Sequence, residues 1–130
     1  MDFAVHLKRF FRTEMNLQEG CLTDERFRSL HYLEGSEGVA LSELSERIRI
    51  SPSSLCLMLK KMEEEGLVER NRGSKDRRKV LYRISPLGLK RLEDDRSRRL
   101  AALTERFKAL SQADRDRLHQ AMDSMESILR

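Results

Sequence analysis

Residues 51–85, SPSSLCLMLKKMEEEGLVERNRGSKDRRKVLYRIS, constrain the fold more than any other stretch of the chain. Ser51 followed by Pro52 is a helix-start signal: the serine oxygen can accept an orphan N–H of the first turn, and proline at the first helical position has no N–H to lose. Gly66, after three glutamates, is the stop. Between them Leu55, Met58, Leu59 and Met62 recur at helical spacing as one apolar stripe, so Ser53, Cys56, Leu57, Lys60 and Lys61 fall on the opposite face. One side of this predicted helix is core and the other is free.

Beyond Gly66, Leu67-Val68-Glu69-Arg70 is short and strand-like, and Lys79 to Ile84 alternates with Val80, Tyr82 and Ile84 on one face. Asn71, Gly73, Ser74 and Asp76 mark a hairpin tip between the two strands. That tip also holds Arg72, Lys75, Arg77 and Arg78, a concentration of cation on a protruding loop that helps no core. A basic tip beside a helix with a free polar face is a geometry for reading DNA.

The rest of the chain reads as support for this stretch. Its 130 residues are one domain's worth, and 38% apolar against 37% charged content is lean for a compact monomer but usual for long amphipathic helices that bury their stripes on a partner. Dimerisation is therefore expected. The net charge of +4 understates an asymmetry, because Lys and Arg outnumber Asp and Glu across residues 60–99 while the remainder is faintly acidic. Such a block suggests a polyanionic partner, nucleic acid before membrane; the plainer alternative is a solvated charged face.

In chain order, residues 2–15 predict an amphipathic helix with Phe3, Leu7, Phe10 and Phe11 on one side. Thr23 can cap a second helix whose stripe is Phe27, Leu30 and Leu33, with Asp24 and Glu25 favourably placed for the helix dipole. Val39-Ala40-Leu41 is just enough for one edge strand, and Ser42 is expected to cap a third helix through Ile48. That helix, the turn Arg49-Ile50 and the helix from Pro52 make a helix-turn-helix, and the hairpin makes it winged. Pro86 starts a long helix with Leu89, Leu92, Leu100, Leu103, Phe107 and Leu110 in step and Arg96 interrupting them. Ser111, with Asp114 three residues on, opens a last helix carrying Leu118, Ala121, Met122, Met125 and Leu129. Two antiparallel helices with single stripes read as a dimerisation stalk.

Leu22-Thr23, Leu41-Ser42-Glu43-Leu44, the run Met62 to Arg70, Asp76-Arg77-Arg78 and Ile84-Ser85-Pro86-Leu87-Gly88 together resemble the MarR family of bacterial transcriptional regulators. The resemblance covers nearly the whole chain and is most specific between residues 62 and 88. It implies a mainly α fold with a small β-hairpin wing: a dimerisation helix over 1–21, a winged helix-turn-helix over 22–85, and dimerisation helices over 86–130. It further implies a homodimer on a palindromic operator in double-stranded DNA, most often as a repressor. Asp76 would orient a wing arginine, and Arg77 or Arg78 would reach the minor groove. Two departures stand out. Gly73-Ser74 replaces the Asp-Pro of many members, suggesting a looser tip. Leu57 stands where members often present Arg or another polar residue, and could contact a thymine methyl.

The expected DNA-binding residues are Ser51, Ser53, Ser54, Cys56, Leu57, Lys60 and Lys61 on the helix, with Arg72, Lys75, Asp76, Arg77 and Arg78 on the wing. No catalytic motif, phosphate loop or paired carboxylates appear, so no enzyme and no cofactor are expected. His6, His31 and His119 lie on three different helices without metal-ligand spacing, and no metal is expected. Cys21 lies near where peroxide-sensing relatives keep a reactive thiol, yet its neighbours supply no obvious activating cluster, which favours an unreactive cysteine. Two cysteines and no long apolar run are consistent with a reducing, cytoplasmic setting away from membranes. A small-molecule effector is implied by the resemblance, with no residue identifying it. The alternative in a different class is a winged-helix module that binds a protein through Leu57 and the methionine-rich helix.

Overall fold

A computed structural model of the chain describes residues 20–73 and 75–130, together with residues 2, 5, 6 and 9. The helix expected over residues 2–15, with its phenylalanines, falls largely outside the described residues. The chain divides into two compact units, Glu19–Arg96 and a second made of Met1–Gln18 with Ser97–Arg130.

The first unit begins with α1, Asp24–Leu33, capped as expected by Thr23, whose side chain accepts from the Arg26 N–H. Strand β1 is only Val39–Ala40, and α2 follows at once over Leu41–Ile48. Here the expectation fails. Ala40, not Ser42, is the N-cap, and it supplies no side-chain hydrogen bond. Pairing of Val39 with Tyr82 and of Ala40 with Leu81 holds Ala40 extended, so the helix starts at the first residue past the sheet. Tertiary pairing has overridden the local capping preference of serine.

Helix α3 spans Pro52–Glu64, β2 Val68–Arg72 and β3 Val80–Ile84. The sheet order is β1-β3-β2, antiparallel throughout, with Val68 opposite Ile84 and Arg72 opposite Val80. One core joins these elements: Leu30 and Leu33 of α1, Leu44 and Ile48 of α2, Leu55, Leu59 and Met62 of α3, Val39, Val68 and Tyr82 of the sheet, and Leu92. Met58, Val80 and Ile84 pack at its edge. The fold is mainly α with a three-stranded sheet, the winged helix-turn-helix anticipated from residues 51–85.

Helix α4, Pro86–Ala109, runs from this unit into the second. Its start is locked to the exit of α3. The Ser85 hydroxyl donates to the Gly66 carbonyl and accepts the Gly88 N–H at 2.9 Å, while the Ser85 N–H reaches Leu67 O at 3.1 Å. Gly88 is required here, because a Cβ on it would lie 2.0 Å from the Leu67 carbonyl oxygen. Farther along, the buried Asp95 carboxylate accepts the Leu22 N–H at 2.8 Å, and Arg91 donates to Gly20 O. Arg96, the residue that interrupts the apolar stripe, forms hydrogen-bonded ion pairs with Glu34 and Glu93.

In the second unit, α5 covers Gln112–Leu129, and Ser111 caps it by accepting the Asp114 N–H at 3.1 Å. Arg115 donates to the carbonyls of Phe107 and Lys108, closing the C-terminal end of α4. No residue of α5 is buried, and Leu100, Met122, Met125, Ile128 and Leu129 are exposed large apolar side chains. No described helix is long and apolar enough to cross a membrane.

Candidate nucleic-acid interface

Helix α3 is held rigidly from behind. Leu55, Leu59 and Met62 are fully buried, so its opposite face is fixed outward. At its N-terminus Ser51 accepts the Ser54 N–H at 3.3 Å and hydrogen-bonds the Ser54 hydroxyl at 2.9 Å, with Ser53 Oγ 3.4 Å away. These three exposed hydroxyls lie at the positive end of the helix dipole, where an anion is favoured. Past its C-terminus, Arg26 of α1 makes a two-pronged contact with Glu65, at 2.8 and 2.9 Å. That hydrogen-bonded pairing raises the guanidinium's affinity for its proton and holds the Glu65 carboxyl below the usual carboxylate range.

The turn ahead of α3 is similarly fixed. Arg49 adopts the left-handed conformation with φ 56°, the Ser45 hydroxyl donates to Ile50 O at 2.6 Å, and Arg28 donates to the carbonyl of Ile48. With both ends and the back fixed, the exposed face of α3 presents Ser53, Cys56, Leu57, Lys60 and Lys61, as the periodicity predicts. Leu57 is 68% exposed at its centre.

The wing is the β2–β3 hairpin. Strand β2 runs two residues farther than expected: Asn71 and Arg72, read as the start of the tip, pair with Leu81 and Val80. Beyond them the Gly73 N–H reaches Lys79 O at 2.8 Å, and the Lys79 N–H reaches Asp76 O at 3.1 Å. Ser74 lies outside the described residues. Asp76 accepts the backbone N–H of Arg78 at 2.9 Å, so it shapes the tip through the main chain rather than through an arginine fork. Arg72, Lys75, Arg77 and Arg78 are all exposed, and among the described residues none has a carboxylate within salt-bridge distance. Lower on the same hairpin Arg83 pairs with Glu69 at 2.7 Å. Cations at the base serve the sheet, while those at the tip are left for something else. Arg70 on β2 and Lys79 just before β3 are exposed on the same hairpin and extend this basic surface beyond the tip, where the sequence pattern alone marks strand rather than loop.

The other candidates lie elsewhere. Cys21 is half-buried and free, at a cavity of about 310 Å³ that Arg26, Glu65 and Arg91 also line. Cys56 is exposed on α3. No group of three or more potential metal ligands occurs among the described residues.

Residues 22–80 match the model of the MarR family. The winged helix-turn-helix of this chain is thus similar to that of the MarR family. YdgJ of Bacillus subtilis, an HTH-type transcriptional regulator, is 24% identical over 111 residues, which is 84% of this chain and 68% of that one. Among solved structures, YusO of B. subtilis superposes with TM-score 0.73 at 19% identity, covering 97% of this chain and 93% of that one. A MepR variant of Staphylococcus aureus bound to an oligodeoxyribonucleotide gives TM-score 0.70 at 19% identity and full coverage of both chains. The structural likeness covers residues of both units, whereas the family match ends at residue 80, where β3 begins.

Proposed function

We propose that this MarR-type regulator binds a palindromic operator as a homodimer and represses the genes beside it. Helix α3 enters the major groove, and the wing tip follows the backbone into the adjacent minor groove. The observation that carries this reading is the wing itself: four exposed cations without a carboxylate partner among the described residues, next to a helix whose outer face no core requires. Arginines there suit phosphates and the negative potential of a narrow minor groove. The DNA-bound MepR variant supports the same use of the fold. The exposed apolar side chains of α4 and α5 support a second copy as the stalk's partner, and a two-fold dimer would place its half-sites about one helical turn apart.

Selection of bound sequences from random DNA should yield an inverted repeat, with the protein sedimenting as a dimer. Replacing Arg77 and Arg78 together by Ala should weaken binding at least tenfold and lower the log–log salt slope by about one unit for each phosphate no longer neutralised, without unfolding the protein. Unchanged affinity in that double variant would remove the wing from the interface. A weak salt slope in the parent would instead favour the protein-interaction alternative, in which Leu57 contacts a polypeptide.

A further inference from the structure

We infer that base recognition by α3 rests on the 5-methyl group of a pyrimidine, contacted by Leu57, rather than on a hydrogen-bonded purine. The inference builds on the operator-binding reading above and specifies the chemistry of its ligand. Bidentate readout of guanine needs Arg or Lys, and that of adenine needs Asn or Gln. Helix α3, PSSLCLMLKKMEE, contains no Arg, Asn or Gln. Its hydroxyls cluster at the N-terminus, where Ser53 and Ser54 are both within hydrogen-bond reach of the cap Ser51. Lys60 and Lys61 end in compact, strongly hydrated ammonium groups on flexible stems, with no rigid planar fork, which suits phosphates better than fixed bidentate readout.

What remains at the centre of the outward face is Leu57. It follows Ser53 by four residues and precedes Lys60 and Lys61 by three and four, so by helical geometry it stands between the hydroxyl group and the lysines. At 68% exposure it presents isobutyl surface to solvent, with Leu55, Leu59 and Met62 buried behind it. The one apolar feature on a base edge in the major groove is the C5-methyl of thymine. Seated between phosphate contacts on either side, Leu57 would meet that methyl or none. The same group stands on 5-methylcytosine, so a side chain that reads only the methyl accepts both bases. Methylation of a cytosine at the contacted position should therefore strengthen binding.

The test uses the inverted repeat recovered by selection, resynthesised with deoxyuridine in place of thymidine at one symmetric pair of positions at a time. Removing the methyl is worth about one buried methylene, roughly fourfold per half-site and about sixteenfold for the symmetric pair. One such pair of positions should show this weakening. Replacing that thymine by cytosine removes the same methyl, and 5-methylcytosine should recover about fourfold per half-site over cytosine. Leu57→Ala should bind the thymine and uracil operators alike. The inference is overturned if deoxyuridine is tolerated at every position, or if Leu57→Ala keeps the parent's full preference for thymine. In either case the salt slope and the Arg77/Arg78 effect would still stand, so operator binding itself would survive. If selection enriches no sequence at all, the reading beneath falls together with the inference.

Discussion

Gly88→Ala opposes two general expectations, and the structure decides between them. Gly88 lies in the first turns of α4, where alanine should be the better helix former by about 1 kcal/mol. Its Cβ, however, would sit 2.0 Å from the Leu67 carbonyl oxygen and 2.9 Å from Ile84 Cγ1. A carbon and a carbonyl oxygen approach no closer than about 3.3 Å, so the helix start must retreat by at least about 1 Å. The obstacle is backbone, which cannot rotate aside. That retreat stretches the Ser85 bonds to Gly66 and Leu67 and the Gly88 bond to Ser85, forfeiting about 2 of the roughly 3 kcal/mol they contribute net, and overpacking adds about 1–3 kcal/mol. Net destabilisation of about 2–4 kcal/mol remains after the helix-propensity gain. With a urea slope of about 1–3 kcal/mol per molar, the unfolding midpoint, followed by circular dichroism at one protein concentration, should fall by about 1–2 M. Gly35→Ala is the control: φ is +74° with no atom within 4 Å of the added Cβ, so its cost is conformational alone, about 1 kcal/mol. A Gly88→Ala variant as stable as the parent, or less destabilised than Gly35→Ala, would refute the contact argument.

Two further outcomes follow from contacts between distant residues. Asp95→Ala leaves the buried Leu22 N–H without its 2.8 Å acceptor and should destabilise by about 1–3 kcal/mol in a thermal melt, while Asp95→Asn, which keeps an acceptor oxygen, should recover much of it; equal losses would disprove the role. Hydrogen-bonded arginines, Arg26 and Arg96, hold the Glu65 and Glu34 carboxyls below the usual carboxylate range. Their stabilising share is complete above that range and lost as pH falls through the lowered values, so the urea midpoint should decline on acidification and Glu65→Gln should flatten the decline. Both pairs are substantially exposed and the effect is small; a Glu65→Gln profile parallel to the parent's would count against it.

How much of this was legible in the sequence depends on the range of each interaction. The ends of α3 were, because Ser51 reaches a donor only three residues on and Gly66, at φ +77°, ends the helix region locally. The wing's cations were legible from composition alone. The start of α2 was not: Ser42 carries the better local signal, but Ala40 is committed to strand β3 some forty residues away. Asn71 likewise reads as a turn former and is nevertheless a strand residue, because Leu81 pairs with it. Contacts joining Arg26 to Glu65 and Leu22 to Asp95 span 39 and 73 residues, beyond any periodicity in the chain. Asp76 was recognisable as an organiser of the tip, but not that it acts through the Arg78 N–H.

The central strand has a mechanical consequence. β3 carries the return arm of the wing and passes through Ser85 directly into α4, so hairpin and long helix are one uninterrupted piece of chain with Ser85 as its fulcrum. The five residue pairs of the hairpin make a lever arm of about 17 Å. Tilting such an arm by about 5° at the fulcrum carries its tip about 1.5 Å, a quarter of a minor groove about 6 Å wide. Because Val68 and Tyr82 of that arm sit in the core, with Val80 and Ile84 packed at its edge, the same packing that stabilises the sheet fixes where the wing's tip lies.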